Sequence, residues 1–449
     1  APLTAFRAIR KLGPGHRLLW RAGEIAIAPY WALTFSPKLR MSEDEAVHEW
    51  LTRARQAVRL CLRSDAPLGA FLSGGLDSAT IVALMSEVSS TPVKTFTVGF
   101  EEADYDEREH ARRVARHFGT EHHELVLRPD MVEILPQLVR RYGEPFADAS
   151  AIPTYYVAKL ARAAITVALT GDGGDEGLAG YDRYRAMLWA ERLPPAAWAL
   201  LGHLFALGHR ALRRPLGRWI TERRLWTRAE RFLRAASLPP PRRYAQWMSA
   251  CDADVRRRLY SDAFRALVNP LHPERFVEEL LATKDALLDA LFRADVALYL
   301  PNDLLVKMDI ATMAHGLEAR APFLDHELLE WEARLPERYK LRRGRGKYLL
   351  RRAMRGILPP ETLARRKRGF GVPVGRWLRR EWRDLARELL LSERALARGL
   401  FRPDAVRALL DAHLAGRADF ATPLWTLLVL EVWFREFVDG HALSTRALA

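Results

Sequence analysis

Pro67-Leu68-Gly69-Ala70-Phe71-Leu72-Ser73-Gly74-Gly75-Leu76-Asp77-Ser78 is a short apolar run that stops abruptly at Ser-Gly-Gly. An apolar helical pattern (Ala79, Ile81, Val82, Leu84, Met85) follows at once, so the stretch reads as strand, tight loop, helix. Two adjacent glycines let the backbone turn its N–H groups toward one point with no Cβ in the way. Ser73 and Ser78 add hydroxyl donors, and a helix starting near Asp77 directs its positive end to the same place. The result is an anion cradle. An aspartate beside a bound anion calls for a bridging cation, which makes a Mg²⁺–nucleotide the expected occupant. No G-x-x-x-x-G-K-[ST] string occurs in the chain, so the cradle is not a Walker A loop.

Working outward, Val93–Phe100 is β-rich and ends in glycine and phenylalanine, Glu107–Phe118 is helical with Gly119 as its stop, and His122–Leu127 is a third strand. Pro129–Tyr142 and Ile152–Ala164 read as helices, and Ile165-Thr166-Val167-Ala168-Leu169 as a fourth strand. Strands alternating with helices predict an α/β fold with a doubly wound parallel sheet, its site at the carboxyl ends of the strands. That rule places the loop after the fourth strand in the same crevice as the cradle. It reads Thr170-Gly171-Asp172-Gly173-Gly174-Asp175-Glu176, and three glycines with three carboxylates after a buried strand exceed what a solvated turn needs. Asp77 and Asp175 form a candidate pair of Mg²⁺ ligands, with phosphates and water completing the shell. His122-His123 is a poor metal pair, because adjacent strand residues point to opposite faces.

From Tyr181 onward the pattern is nearly all helical, with breaks at Pro194-Pro195 and Pro239-Pro240-Pro241 and no internal repeat. Pro301–Gly316 reads as an amphipathic helix. Lys347 follows a glycine turn at a helix start, and spacing alone puts it on the surface. At the other end, Arg17–Trp20 and Ile25–Ile27 suggest a hairpin, followed by an extended linker through Ser36-Pro37. The expected organisation is therefore 1–40 as a remnant or linker, 41–190 as the α/β core, and 191–449 as a largely helical part.

The 449 residues carry a formal net charge of +15, with 49% hydrophobic and 28% charged residues. This is the make-up of a globular chain with a sizeable core. No apolar run reaches the length of a membrane span, and no signal-peptide core opens the chain. Two distant cysteines, Cys61 and Cys251, form neither a disulfide framework nor a zinc pattern, and a cytoplasmic setting is expected. The positive charge is scattered arginine. Its tightest cluster, Arg365-Arg366-Lys367-Arg368, lacks interleaved aromatics, so a nucleic-acid partner is not expected.

Taken together, these residues resemble the synthetase (ATP pyrophosphatase, PP-loop) domain of the glutamine-hydrolysing asparagine synthetase family. The motifs are Ser73-Gly-Gly-Leu-Asp-Ser78, Gly143-Glu-Pro-Phe-Ala-Asp148 with Ser150-Ala-Ile-Pro-Thr154, Gly171-Asp-Gly-Gly-Asp-Glu176, the Asp303–Asp325 stretch and Lys367-Arg-Gly-Phe370. The block from Gly143 to Tyr184 is similar to homologues linked to exopolysaccharide and exosortase systems. The resemblance implies an adenosine pocket of Phe71, Leu72, Ser73, Val98 and Gly171, with phosphates on Ser73, Gly74, Gly75, Leu76, Asp77 and Ser78, and with Thr170 and Asp172 also among the ATP-binding residues. It implies Mg²⁺ on Asp77 and Asp175, and catalytic roles for Asp172, Glu176 and Lys347, the lysine stabilising charge on the α-phosphate. The implied reaction attaches AMP from ATP to the β-carboxylate of aspartate, releases pyrophosphate, and lets ammonia displace AMP.

The chain also departs from that family. The family's glutaminase needs a cysteine at the mature N-terminus; Ala1, with no cysteine before Cys61, does not supply it. Residues 1–40 are then the end of a missing glutaminase domain and its linker, and Ala1 in place of methionine suits a processed chain or a part of a longer one. Gly177 stands where the family usually has leucine, a softening of the loop that bears on substrate or activity, and Ala79 replaces a frequent serine. Three readings stay open: an aspartate-amidating synthetase, the same adenylation on another acceptor (a surface-polysaccharide sugar acid or an intramolecular amine), and a PP-loop tRNA-modifying enzyme or a scaffold. The acceptor pocket is expected between Glu144 and Thr154 and in the helical part. A homodimer is left open.

Overall fold

The computed structural model describes residues 2–128, 130–222, 224–269, 274–365, 369 and 371–440, with backbone alone for 209–222 and 224–228. They divide into two units, neither of them one continuous run. The first holds Ala1–Pro129, Ser150–Arg185 and Asp285–Val372; the second holds Asp130–Ala149, Ala186–Lys284 and Pro373–Ala449. A single cut at residue 190 is therefore too simple, because residues 285–372 return to the unit that contains the sheet.

In the first unit a hairpin, β1 (His16–Arg21) and β2 (Glu24–Pro29), precedes a five-stranded sheet. The sheet contains β3 (Leu68–Phe71), β4 (Lys94–Phe100), β5 (Glu121–Leu127), β6 (Val167–Leu169) and β7 (Glu318–Arg320), in the order β5-β4-β3-β6-β7. Every pairing is parallel. The chain runs outward from β3 to β5, then crosses to the other side of β3 as β6. The carboxyl ends of β3 and β6 are thus where the order reverses, the place where such sheets open a crevice.

The four strands expected from the sequence are present. β7 lies beyond Tyr181, where the sequence reads as nearly all helix. Its three residues, Glu-Ala-Arg, are too few to carry an alternation. Pairing fixes them instead: Val167 faces Glu318 and Leu169 faces Arg320, and Thr170 N donates to Arg320 O at 2.8 Å.

Helix α1 (Glu43–Cys61) opens on a capping box, with Ser42 N donating to Glu45 Oε2 at 2.7 Å and Glu45 N to Ser42 Oγ at 3.3 Å. Helix α2 (Leu76–Val88) is apolar nearly all round and correspondingly buried, from Leu76 to Met85. Helix α3 (Arg108–Phe118) stops at Gly119, which takes the left-handed conformation. α1 and α2 share a core with Phe323, Leu349 and Leu350. At its centre Trp50, fully buried, lies 6.2 Å from the Phe323 ring and donates its indole N–H to Glu332 Oε1 at 2.7 Å.

The amphipathic reading from Pro301 needs amendment. The helix begins earlier, as a π-helix over Asp295–Leu304, and becomes α-helical over Leu305–Met313. An interior proline lacks an N–H and crowds the preceding turn, and the wider π turn relieves that clash.

The second unit is helical. Helix α4 (Met131–Tyr142) packs on the helix Ala421–Phe437, where Arg140 meets Glu436 at 2.6 Å and the Trp433 indole donates to Gly143 O at 3.0 Å. Arg398 spans Glu431 and Asp439, at 2.7 Å each. Helix α5 (Ala151–Arg162) belongs to the first unit and precedes β6 there. Cys61 and Cys251 are both unbridged. Among the described residues no helix is long and apolar enough to cross a membrane. Pro129, Arg366, Lys367, Arg368 and Phe370, which carried parts of the expected helix, basic cluster and last motif, lie outside the described residues.

Trp50→Ala removes a fully buried indole and the donor to Glu332. It is expected to lower the unfolding free energy by about 4 kcal/mol, read by urea denaturation. A loss below about 1 kcal/mol would show that this seam does not hold the unit together.

Candidate active site at the strand ends

The cradle is folded on itself. Ser73 N donates to Ser78 Oγ at 3.2 Å, the two hydroxyls are 3.1 Å apart, and Gly75 N donates to Ser73 Oγ at 3.3 Å. Gly74 takes φ +68°, and a Cβ there would lie 2.5 Å from the His110 carbonyl carbon and 2.6 Å from Ala111 N. Only glycine fits both the conformation and the space. α2 starts at Leu76 with no side-chain cap on its first N–H groups, which keeps the helix N-terminus available to an anion.

The acidic loop after β6 comes against this cradle. A Cβ on Gly171 would sit 2.9 Å from both Asp77 Cβ and Ser78 N. Thr170 Oγ1 donates to Asp172 Oδ2 at 2.8 Å, which turns the Asp172 carboxylate onto its own loop. Asp77 and Asp175 converge on one ammonium: Lys347 Nζ is 2.6 and 2.5 Å from the two Asp77 oxygens and 2.6 Å from Asp175 Oδ1. A Cβ on Gly180 would fall 1.8 Å from Asp175 Oδ1 and 2.2 Å from Lys347 Cε, so the lysine reaches the acids across a glycine.

Lys347 is only 3% exposed, which corrects the surface position inferred from spacing. The two-stranded turn Leu341–Arg342/Arg345–Gly346 delivers it, and its own backbone is left-handed, with φ 55° and ψ 38°. Its N–H donates to Leu178 O at 2.8 Å, tying it to the acidic loop.

Glu176 is engaged differently. It is 1% exposed and accepts from the Tyr181 hydroxyl. Burial, and then the neighbouring Asp175 charge, push its carboxyl up to about 7; burial holds the Tyr181 phenol well above its ordinary value. Of the expected adenosine residues, Phe71 is half-buried at the end of β3, whereas Leu72 and Val98 are 1% and 3% exposed, so a nucleotide would meet them through backbone. His122 bonds Thr95 Oγ1 at 2.9 Å while the His123 ring stacks on Phe96, 5.1 Å between centroids, as separate structural roles require.

Two carboxylates meeting at one point supply hard oxygen donors suited to Mg²⁺, with phosphate oxygens and water left to complete an octahedron. Among the described residues no group of three or more His, Cys, Asp or Glu side chains is placed to hold a metal ion.

Behind the site stands a carboxylate that the sequence did not flag, Glu332, 1% exposed in the helix His326–Ala333. Burial pushes its pKa up to about 7, against the pull of the Trp50 N–H and the Lys340 and Lys347 charges. Nearby Lys340, 1% exposed, is lowered to about 7 by burial. A glutamate in a helical run reads as solvent-facing, so only packing reveals it.

Lys347→Met leaves Asp77 and Asp175 facing each other without a cation. It is expected to lower the unfolding free energy by about 3 kcal/mol, measured by denaturant titration, and adding Asp77→Asn is expected to recover part of it. For Glu332 the folded pKa is raised above the ordinary 4.5, so its contribution to stability is present at low pH and lost as pH rises to about 7. The melting temperature of Glu332→Gln relative to wild type is therefore expected to rise between pH 5 and pH 8.

A family model described as "Asparagine synthase" matches residues 49–435. The chain is 32% identical over 440 residues to asparagine synthetase [glutamine-hydrolyzing] 1 of Bacillus subtilis, covering 96% of this chain and 66% of that protein. It is 26% identical over 425 residues to amidase chyE of Penicillium rubens, covering 83% and 60%, and 25% identical over 388 residues to asparagine synthetase [glutamine-hydrolyzing] 3 of B. subtilis, covering 81% and 54%. It spans about two thirds or less of the length of these relatives. The match takes in the cradle, the acidic loop and Lys347 alike: the chain belongs to the asparagine synthase family.

Proposed function

We propose that this chain is an ATP-dependent, amide-forming ligase. It adenylates a carboxylate, the β-carboxylate of L-aspartate, with release of pyrophosphate; ammonia then displaces AMP to give asparagine. The observation that carries this reading is the convergence of Asp77 and Asp175 on Lys347 beside a glycine-rich anion cradle.

A carboxylate is a poor acyl donor because its leaving group would be oxide, and joining it to AMP supplies a good one. In the first step a carboxylate oxygen attacks the α-phosphorus and the bond to pyrophosphate breaks. The N–H groups of the Ser73–Ser78 loop and the α2 terminus hold the departing phosphates. Lys347 neutralises charge on the α-phosphate. Asp77 and Asp175 would hold Mg²⁺, which supplies further charge neutralisation on the phosphates. In the second step the ammonia nitrogen attacks the acyl carbon, the C–O bond to AMP breaks, and Asp172 accepts the proton that nitrogen loses. Glu176, bonded to Tyr181, holds the loop that presents Asp175.

We assign residues 1–40 to the end of a glutaminase unit, the activity named in the B. subtilis relatives, and take ammonia to come from such a unit or from solution. The hairpin suits this, with Leu19, Trp20 and Ile25 each more than 60% exposed. A cytoplasmic setting, with ATP and Mg²⁺ at hand, fits the chemistry. A second reading, adenylation of a different carboxylate acceptor, is supported by the relative named as an amidase.

The test is pyrophosphate release with ATP, Mg²⁺ and ammonium, with and without L-aspartate, the products being identified by mass. Aspartate-dependent release with asparagine formed is expected, and Asp77→Ala is expected to reduce it at least 100-fold. Release that depends on another carboxylate moves the assignment to the second reading, and release indifferent to any carboxylate contradicts both.

A further inference from the structure

Gly177 ends the short helix Gly174–Gly177 that carries Asp175 and Glu176, and it is buried. The space where its side chain would stand is filled by Glu332. A Cβ on Gly177 would lie 1.8 Å from Glu332 Oε2 and 3.0 Å from its Cδ, with Leu329 Cδ1 next at 3.7 Å. Glu332 Oε1 accepts from the Trp50 indole, whereas Oε2, buried, has no hydrogen-bond partner among the described residues. A buried carboxylate with an unbonded oxygen is expensive to keep. An apolar side chain at 177 against a small one at 332 would fill the same volume without that penalty.

We propose that Gly177 and Glu332 are a matched pair in which Glu332 acts as a positioning residue, its carboxylate wedged against the Gly177 backbone so that Asp175 and Glu176 are held in register with Lys347. The contacts form one continuous series inside the first unit. Trp50 on α1 fixes the Glu332 carboxylate, the carboxylate abuts Gly177, Gly177 closes the turn bearing Asp175, and Asp175 binds Lys347. The inference rests on reading this site as the synthetase centre. It also gives Gly177 a reason: any larger residue there requires Glu332 to leave.

The pair is tested with Gly177→Ala, Glu332→Ala, and the doubles Gly177→Ala/Glu332→Ala and Gly177→Ala/Glu332→Gln, each followed by thermal unfolding, equilibrium ATP binding and carboxylate-dependent pyrophosphate release. Gly177→Ala is expected to lower kcat at least tenfold while KM for ATP moves less than threefold. Adding Glu332→Ala reopens the space and recovers most of the loss; adding Glu332→Gln, equal in size, does not. Wild-type activity in Gly177→Ala, or equal rescue by Ala and Gln, overturns the pairing. If Gly177→Ala does not fold, a folded Gly177→Ala/Glu332→Ala carries the same conclusion, and an unfolded one beside a stable Glu332→Ala overturns it. A wild-type chain that binds ATP but releases no pyrophosphate contradicts the synthetase reading instead; the pairing is then decided by whether the double-mutant melting temperatures show the same rescue.

Discussion

Two carboxylates held within 2.6 Å of one buried nitrogen repel each other unless that nitrogen carries a charge, and in this protein Lys347 carries it. The arrangement ties together three pieces of chain that are far apart in sequence. Asp77 comes from the first turn of α2, Asp175 from the loop after β6, and Lys347 from a tight turn more than 150 residues later. Burial makes the dependence mutual: removing any one charge strands the others in a medium where unpaired ions are costly. The same cluster is what a nucleotide–metal substrate would need, with two oxygen donors and one cation at the end of a parallel sheet.

Backbone approach is the second constraint. At Gly74 the loop folds over α3, at Gly171 the two loops touch, and at Gly180 the lysine stem crosses the chain. These close approaches bring a cradle, an acidic turn and a buried ammonium into one crevice at the point where strand order reverses. The core beneath them, built on Trp50 and Phe323, supports the crevice from one side and links it through Glu332 to α1.

Much of this was legible in the residues. The apolar run ending in Ser73-Gly74-Gly75 announced strand, loop and helix, and the alternation that followed gave four of the five sheet strands. The acidic loop declared itself by composition and by its place after β6. What stayed hidden depends on contacts between distant segments. β7 is three residues held by pairing to β6, with no pattern of its own. Lys347 looks like any exposed lysine until the Leu178 carbonyl and a left-handed backbone turn it inward. Glu332 sits in a helix whose polarity suggests solvent, and Gly177, a departure read as a softening of the loop, pointed to no partner for it. The π-helix before Leu305 was masked by Pro301, which reads as a start signal and is instead accommodated mid-helix.

The central claim is that chemistry here joins a carboxylate oxygen to the α-phosphorus of ATP. The most direct measurement uses an acceptor acid carrying ¹⁸O at both oxygens of its reacting carboxylate, L-aspartate first, with ATP, Mg²⁺ and ammonium, followed by mass analysis of the nucleotide. Adenylation followed by attack of ammonia at the acyl carbon predicts one ¹⁸O in each AMP formed and none in pyrophosphate. Unlabelled AMP, or ADP formed together with labelled orthophosphate, would contradict it.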